Sequence, residues 1–548
     1  MVPYILMDLP AAGLQFTPLT DCEWATKNAK LQEGMCNRGG GHMHPRMMMA
    51  SIFGIFILLI FILDRSECNA PLIYDLVIIG LGSGGLAAVK RASHYGAKVA
   101  VIEQSFIGGT CVNVGCIPKK VAWTAASLAQ TRRLYAGYGI FDSLTSAKSY
   151  QNHGIKESFW FEMEVNRKAR NSYINRIRRS YAGFFSSLSD VDVFLGFDVT
   201  EVDVSRYSKT VIAYRASDGA KIAVNGERIL LATGGRPKLP EYPLSLTGIT
   251  SDDFWKLPSI PKTVVIAGGG YIAIELASIL KSLGSENVIV VVRDDRLLIP
   301  FDHDIVSALH KELVEREGVK IFYMHAVTQI ESLACDNGSA STSRIVAGKL
   351  AFSYLRSPNT EINGLPEEII DPKSRLVIVN ETTFETAIPG LYAIGDIIYG
   401  QHLTPVAIAQ GRSLIDQIFG NGPCFNKSVP IPTAIFSVPP VASVGHSESE
   451  AKKSYGSENV YSYVKTFTPM MISAISVPGD QIRKRTATYK LVCVGKEQRV
   501  VGIHMFGPCS EEIIQGFAVA MATGHLTKQI MDTAIALHPT MAEELLSM

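Results

Sequence analysis

The sequence predicts an α/β fold built around two doubly wound units. One observation is length, because 548 residues exceed what a single hydrophobic core organises, and roughly three ordinary domains fit. The other is a glycine-rich turn between a buried strand and an apolar-periodic helix, which occurs twice, at residues 80–85 and 268–273. Strand, glycine turn, helix and second strand together form the βαβ unit from which doubly wound sheets are assembled.

The composition excludes several classes of protein. With 47% hydrophobic and 19% charged residues, the chain is globular. A formal net charge of +1 argues against a nucleic-acid-binding surface. The nine cysteines are too few and too scattered for a disulfide-stapled scaffold, and only Cys111 and Cys116 show a paired spacing.

Residues 47–63 (MMMASIFGIFILLIFIL) form a run without charge, near the lower length limit for crossing a bilayer. Small residues at 68–70 follow it, as at a signal-peptidase site. Three interpretations stay open: a membrane anchor, a cleaved signal if translation begins near Met49, or a mistaken gene model for residues 1–70. The first two predict a secretory or organellar protein, and the third a cytoplasmic or mitochondrial one. The sequence of the mature N-terminus would distinguish them.

The first βαβ unit follows this run. A strand is predicted at 74–79, a helix at 86–95, and a second strand at 98–102 that ends in Glu103. Glycines let the backbone approach a pyrophosphate at a helix N-terminus, and an acid about 20 residues on accepts from a ribose hydroxyl. The pattern therefore predicts a dinucleotide site, and a glycine turn without a ligand is the alternative. The predicted contacts in the turn are Gly80, Gly82, Ser83, Gly84 and Gly85.

The second unit differs at the end of its second strand. Strands are predicted at 263–267 and 287–292 around a helix at 274–283, and the second strand leads into Arg293. A cation there can bind a 2′-phosphate, which favours NADPH over NADH, and Arg296 adds a second charge. Alternatively, both arginines are solvated, since two aspartates lie between them. The predicted contacts are Gly268, Gly270, Tyr271, Ala273, Arg293 and Arg296.

Two dinucleotide sites imply electron transfer between a stationary flavin and an exchangeable nicotinamide. Two further segments support the flavin assignment. Residues 230–237 (LLATGGRP) form a strand that enters a turn at Thr233 and Gly234. Residues 391–396 form a strand that ends in Asp396, whose carboxylate is placed to bond a hydroxyl next to the ring or the phosphates.

The segment 108–120 (GGTCVNVGCIPKK) carries the chemistry. In a regular helix, positions i and i+5 point apart, so a Cys111–Cys116 bond needs a distorted turn, which Gly115 and Pro118 permit. Such a local disulfide is expected to be strained, readily reduced and catalytic, and Lys119 would favour the thiolate. The alternatives are two unbonded core cysteines or a metal site, which lacks further ligands.

A disulfide reductase also needs a proton donor for the leaving thiolate. The candidate is His538, and Glu543 lies five residues on and could hold its imidazole in one tautomer. Without the cysteine motif, His538 would be read as an ordinary buried histidine.

Residues 72–548 resemble the flavoprotein pyridine nucleotide-disulfide oxidoreductase family, class I. The most specific segments are GGTCVNVGCIPKK, GGGYIAIELA, LTPVAIAQGR, VVGIHMFG and HPTMAEEL. The resemblance implies an enzyme that uses NADPH, FAD and the Cys111–Cys116 disulfide to reduce glutathione disulfide. It implies a homodimer, in which His538 and Glu543 serve the partner's cysteines.

The resemblance also assigns roles to residues and segments. Cys111 would attack the substrate, Cys116 would face the flavin, and Lys119 would pair with Glu275 beside it. Tyr271 would cover the nicotinamide pocket. Thr110 and Thr404 would join the FAD site, and the substrate contacts would be Ser83, Lys90, Tyr173, Tyr181 and Arg412, with Lys90 in place of the family's arginine. The implied divisions are an extension (1–71), an FAD domain (72–236), an NADPH domain (237–352), a central segment that completes the FAD domain (353–429) and an α+β dimerisation domain (430–548).

The chain departs from the family pattern in three places. Ile299 replaces a second arginine for the 2′-phosphate, Leu355 replaces a glycine in the turn 353–359, and residues 331–350 are shorter than expected. Two rival functions stay open. One is a reductase of another disulfide, such as thioredoxin or a small dithiol, and the other is a flavin-loaded but inactive, membrane-tethered redox protein.

Overall fold

The computed structural model describes residues 73–140, 161–204, 209–238, 248–327, 349–352, 356–475 and 485–548. The apolar run at 47–63, Leu355 and nearly all of 331–350 lie outside the described residues, so the predictions made on them stay predictions. Across the described ranges, no helix combines the length and apolarity needed to cross a membrane.

The first unit contains a five-stranded parallel sheet whose central strands are fully buried, because the helix Ser83–His94 and a second sheet both pack against it. In spatial order its strands are Leu391–Ala393, Ile229–Leu231, Leu76–Ile79, Val99–Glu103 and Val191–Leu195. A second sheet contains Ile73–Tyr74, Ala220–Gly226, Lys209–Arg215 and Asp198–Asp203, and Gly235–Pro237 pairs with Arg356–Pro358. The helices are Ser83–His94, Gly109–Asn113, Cys116–Arg132, Met163–Ser186 and Thr404–Gly420, with 3-10 turns at Tyr135–Tyr138, Glu367–Ile369 and Gly395–Ile397.

The second unit contains another five-stranded parallel sheet. Its strands in spatial order are Ile249–Thr250, Lys349–Phe352, Thr263–Ala267, Asn287–Val291 and Lys320–Phe322. Its helices are Ser251–Phe254, Tyr271–Ser282 and His303–Lys311, followed by a π-helical turn at Glu312–Arg316.

The C-terminal part is an antiparallel sheet with helices on it. The strands in spatial order are Thr433–Ile435, Val441–Gly445, Arg499–Phe506, Ala487–Val494 and Val460–Phe467. The helices are Glu448–Tyr455, Met470–Ser473, Ser510–Ala522, Lys528–Thr533 and Glu543–Leu546, with a 3-10 turn at Ser457–Asn459. The predicted fold class, two doubly wound units plus a C-terminal α+β domain, is confirmed.

In each unit, the helix that follows the glycine loop begins three residues before its predicted start. Gly84 and Gly85 are buried inside the first turn of the first of these helices, because their lack of a side chain lets the helix lie against the strand end. The glycine loop therefore leads directly into the helix N-terminus.

A buried lysine joins the second unit to the C-terminal sheet. Lys490 is 2% exposed, and its ammonium lies 3.1 Å from Asp302, 2.6 Å from Asp304 and 2.7 Å from Glu448. Asp302 and Asp304 begin the helix His303–Lys311, so this cluster fixes that helix against the sheet.

Candidate active site

The first glycine loop is shaped so that side chains are excluded. Gly80 has φ +99°, and a Cβ there would lie 2.4 Å from the Ala232 carbonyl oxygen. A Cβ on Gly85 would lie 2.0 Å from the Gly80 oxygen. Gly82 caps the helix Ser83–His94, whose first turn has no side-chain cap and no acid. The N–H groups of this turn and the helix dipole are thus available for an anion, and the loop fits a diphosphate.

Glu103 closes the same loop. Its carboxylate is 8% exposed and accepts from the backbone N–H of Leu81 at 2.7 Å and of Ser105 at 2.8 Å. The acid therefore lies at the carboxyl end of its strand, beside the glycine turn, where the ribose of a dinucleotide is bound in such units.

The second glycine loop is tight at Gly269, where a Cβ would lie 2.6 Å from the Val292 Cγ1, and open at the glycine that caps its helix. Gly270 caps the helix Tyr271–Ser282, again with no side-chain cap and no acid in the first turn, and a Cβ there would meet nothing within 4 Å. Tyr271 is 47% exposed at the loop, while Ala273 is fully buried. Arg293 is exposed at the strand end, and the Arg296 guanidinium donates to the Ile299 carbonyl. The helices at Ser251 and Glu448, by contrast, carry complete capping boxes.

The cysteines lie on either side of a break between two helices. Cys111 is in the helix Gly109–Asn113, and Cys116 begins the helix Cys116–Arg132. At the break, Gly115 leaves helical geometry, and a Cβ there would lie 2.9 Å from the Thr110 oxygen. Both cysteines are free thiols in the structure, and they lie close enough for each to shift the pKa of the other. The distorted turn that a bond between positions i and i+5 requires is therefore present.

The two thiols share their environment unequally. The pKa of Cys116 is lowered to about 6, chiefly because the Cys111 thiol hydrogen-bonds to it, with help from Thr404 and Lys119. The Thr404 hydroxyl lies 3.6 Å from the Cys116 sulfur. The pKa of Cys111 is raised by the same bond and by burial, and Ser83 partly offsets this effect. The pair thus holds one proton, mainly on Cys111, and carries a thiolate at Cys116.

Lys119 is fixed beside this thiolate. Its ammonium donates to Glu275 at 2.9 Å and lies 3.9 Å from the centroid of the Phe436 ring. The same Glu275 oxygen accepts from the Phe436 backbone N–H at 2.9 Å. All three parts of the fold therefore meet at Glu275, which is 4% exposed.

The remaining predicted flavin contacts border the same cleft. Thr233 donates to the Asn359 carbonyl at 2.7 Å, which ties the turn with Gly234 to residues 356–359. Arg356 donates to the Thr110 hydroxyl at 3.3 Å. Asp396 lies half-buried in the 3-10 turn Gly395–Ile397.

The predicted substrate residues lie on three helices. The Lys90 ammonium lies 4.9 Å from the Tyr181 ring centroid, which brings the helices Ser83–His94 and Met163–Ser186 together. Tyr173 is 42% exposed on the same long helix, and Arg412 is exposed on the helix Thr404–Gly420. Ser83 is close enough to Cys111 to lower the pKa of that thiol, so it lies beside the redox pair.

His538 and Glu543 form a pair on the surface. The His538 Nδ1–H donates to Glu543 at 2.8 Å, which leaves Nε2 as the atom for proton transfer. The His538 side chain is 79% exposed, and Ile535 and Leu537 beside it are 98% and 77% exposed. Within this one chain, the pair and the cysteines are not brought into contact in the part that the structure describes.

The sequence did not predict the contacts that hold the redox turn, which join Arg178 to Asn113 and Trp255 to Val114. Arg178 donates to the Asn113 side-chain oxygen at 2.6 Å, and the Trp255 indole donates to the Val114 carbonyl at 2.7 Å. Arg178 and Trp255 lie 65 and 141 residues from their partners, so no local pattern could have indicated them. Asn113, which stands between the cysteines, was the one available signal.

Two family models match the chain. The model described as pyridine nucleotide-disulphide oxidoreductase matches residues 74–411, and the dimerisation domain of that family matches residues 431–548. The chain is also similar to the HOCl-induced flavoprotein disulfide reductase RclA of Escherichia coli, with a TM-score of 0.69 over 87% of this chain and 98% of that one. At 24% identity, this structural likeness supports the fold alone.

Two curated relatives are closer in sequence. Glutathione reductase of Yarrowia lipolytica is 35% identical over 484 residues, which cover 87% of this chain and 98% of that protein. Glutathione reductase of Debaryomyces hansenii is 34% identical over 504 residues, with the same coverage. By the family models and these relatives, the chain belongs to the pyridine nucleotide-disulphide oxidoreductase family.

Proposed function

We propose that this protein is a homodimeric flavoprotein that reduces glutathione disulfide with NADPH and so supports thiol redox homeostasis. The observation that carries the proposal is the Cys111–Cys116 pair, which lies between the first glycine loop and Lys119 and holds a thiolate at Cys116. The names of the two yeast relatives support glutathione disulfide as the substrate.

Both cofactors fit the residues present. FAD would lie on the loop 80–85 and Glu103, because that loop excludes side chains and ends at an uncapped helix. Its other contacts would be Thr110, Thr233, Gly234, Asp396 and Thr404. NADPH would lie on the loop 268–273, with Tyr271 over its nicotinamide and with Arg293 and Arg296 at its 2′-phosphate. When bound, the nicotinamide would supply a hydride, and the flavin would supply the two-electron redox chemistry that links it to the cysteine disulfide.

The chain's own groups then carry out two thiol–disulfide exchanges. Cys111 attacks one sulfur of glutathione disulfide, so that a mixed disulfide forms and the first glutathione leaves as a thiolate. Cys116 next attacks the Cys111 sulfur, which restores the Cys111–Cys116 bond and releases the second glutathione. The lowered pKa of Cys116 suits this second attack, because only a thiolate is nucleophilic.

The proton on Cys111 requires an acid–base group, and His538 is the candidate for it. The proton of the reduced pair resides mainly on Cys111, and it must leave before Cys111 attacks. His538 of the partner subunit would accept this proton at Nε2 and return it to the departing glutathione thiolate. Glu543 would hold the imidazole in the required tautomer through the 2.8 Å bond to Nδ1.

Steady-state kinetics of the purified flavoprotein test the proposal. NADPH oxidation should be rapid with glutathione disulfide and slow with oxidised thioredoxin or other small disulfides. Cys111→Ser should lower turnover at least about 10³-fold, since the attacking nucleophile is lost, and should retain the bound flavin. A protein that binds no FAD would contradict the proposal, as would a Cys111→Ser variant that keeps its activity. If NADPH fails to bleach the flavin absorbance, the inactive redox protein would be favoured.

A further inference from the structure

Two of the four residues that separate the cysteines along the redox turn, Asn113 and Val114, are each held by a hydrogen bond from another element. Asn113 accepts from Arg178 Nε at 2.6 Å, and the Val114 carbonyl accepts from the Trp255 indole Nε1 at 2.7 Å. Neither Arg178 nor Trp255 belongs to the glycine loops or to the proposed catalytic groups. The two bonds hold the middle of the turn from two different elements, a helix of the first unit and a segment that precedes the second glycine loop.

The bond from Arg178 extends beyond Asn113. The Asn113 amide donates to the Gly109 carbonyl at 2.7 Å and to the Ile107 carbonyl at 3.3 Å. Asn113 therefore closes the loop that carries Cys111, with its oxygen bonded to a cation and both amide hydrogens in use. A Cβ on Gly109 would lie 2.7 Å from the Gly82 Cα, so this closed loop also lies directly on the first glycine loop.

Both supporting side chains are themselves restrained. The Arg178 guanidinium lies 3.9 Å from the Phe106 ring centroid. Trp255 is 7% exposed, and Arg170 donates to its carbonyl at 2.8 Å and lies 5.4 Å from its ring centroid. Arg170 and Arg178 stand about two turns apart on the helix Met163–Ser186, so both project from one face of it. That helix also carries Tyr173 and Tyr181, two of the residues proposed to contact substrate.

We propose that Arg178 and Trp255 are positioning residues that keep the two thiols within bonding reach and thereby set the reduction potential of the pair. The reaction concerned is the uptake of two electrons and one proton by the Cys111–Cys116 disulfide to give the Cys111 thiol and the Cys116 thiolate. A turn held in place raises the effective concentration of one thiol at the other, which favours the disulfide. The inference rests on the proposed function only in that the pair must be redox-active.

Loosening the turn should therefore favour the dithiol. Trp255→Phe removes the indole N–H and keeps the buried ring, and Arg178→Gln removes the cation that bonds Asn113. Each change should shift the disulfide–dithiol equilibrium about threefold toward the dithiol, and the double variant about tenfold. A tenfold shift in this two-electron couple corresponds to a potential about 30 mV less negative.

The measurement uses the full-length flavin-loaded protein. Samples are equilibrated in mixtures of reduced and oxidised dithiothreitol, alkylated, and analysed by mass spectrometry for the peptide that contains both cysteines. Arg179→Gln is the matched control, because it removes the same charge from an exposed position one residue away and should leave the potential unchanged. Flavin content and circular dichroism establish that each variant is folded.

Two further variants separate positioning from general destabilisation. In an Asn113→Ala background, Arg178→Gln should have no additional effect on the potential, because Arg178 acts through Asn113. Arg178→Lys should bring the potential part of the way back to the wild-type value, because a lysine can still donate to Asn113. Unchanged potentials in both Trp255→Phe and Arg178→Gln would overturn the proposal.

This experiment does not depend on the substrate. If the variants shift the dithiothreitol equilibrium but the wild-type protein leaves glutathione disulfide unreduced, the positioning role stands and the proposed substrate fails. If the wild-type cysteines do not form a reversible disulfide at all, both proposals fail.

Discussion

The two nucleotide-binding units contain the same strand–glycine–helix element. They differ in what surrounds the glycines and in the residue that follows the second strand. In the first, a Cβ on Gly80 or Gly85 would collide with backbone, and the strand-end Glu103 is buried under two backbone N–H donors. In the second, a Cβ on Gly269 would collide with a side chain, that of Val292, and not with backbone, and the strand leads into an exposed arginine. The first loop is also covered by the redox turn at Gly109.

The difference indicates two modes of binding. A loop enclosed by backbone, with its acid already oriented, suits a ligand that is bound once and kept. A loop that only a side chain limits, with an exposed cation beside it, suits a ligand that arrives and leaves in each cycle. We therefore expect the first loop to be the site of permanent binding and the second to be the exchange site.

The largest expected effect would come from breaking the enclosed loop. Gly85→Ala places a Cβ 2.0 Å from the Gly80 oxygen, and neither backbone segment can move without the sheet. The variant should purify with little or no flavin, measured as the ratio of flavin to protein absorbance, and should melt at a lower temperature. Gly270→Ala is the control, since its Cβ meets nothing within 4 Å, and it should keep both properties. Equal flavin content in the two variants would remove the contrast between the loops.

Substitution of Arg293 at the second loop should reduce the preference for NADPH over NADH without abolishing activity. Arg293→Ala should lower kcat/KM for NADPH about 100-fold, because a charge-assisted bond to a phosphate contributes about 3 kcal/mol. The value for NADH should hardly change. Arg296→Ala should lower kcat/KM for NADPH less, because the Arg296 side chain is less exposed than that of Arg293. Steady-state kinetics with both nucleotides measure this, and parallel losses for NADH and NADPH would contradict the assignment.

The thiol beside the enclosed loop should titrate at an unusual pH. Because the pKa of Cys116 is lowered to about 6, its thiolate should predominate above that pH and disappear as the pH falls through it. Cys111→Ala removes the largest cause and should raise the midpoint by about one unit or more. Thr404→Val, which removes a lesser cause, should raise it less. Alkylation rates of the reduced protein across pH report the midpoint, and an unmoved midpoint in Cys111→Ala would refute the coupling.

The smallest effect should come from the acid of the first unit. Glu103→Gln keeps the size of the side chain and one oxygen for the Leu81 N–H, but it loses the charge. The dissociation constant for FAD should rise about fivefold, since a hydrogen bond of this kind contributes about 1 kcal/mol. Reconstitution of flavin-free protein with FAD, followed by fluorescence, gives the constant. A loss as complete as that of Gly85→Ala would mean that the charge and not the closed loop retains the ligand.

The features that could be predicted from the sequence are those formed by residues close together along the chain. The strand at 263–267 was placed to the residue, and the His538–Glu543 pair could be proposed from a spacing of five. The first predicted helix, 86–95, begins three residues too late. Glycines favour a loop in the sequence, but Gly84 and Gly85 belong to the helix. Contacts between distant segments, such as Trp255 with Val114, depend on tertiary packing and leave no trace in periodicity.

The buried Lys490 constrains how the charged positions around it can change during evolution. Its three carboxylate neighbours come from two separate regions, and loss of the lysine alone would leave Asp302, Asp304 and Glu448 repelling one another, with Asp302 buried and without its cation. These four positions are therefore expected to be inherited together. A chimera that exchanges only the C-terminal sheet for that of a homologue would have to carry all four residues or lose them all.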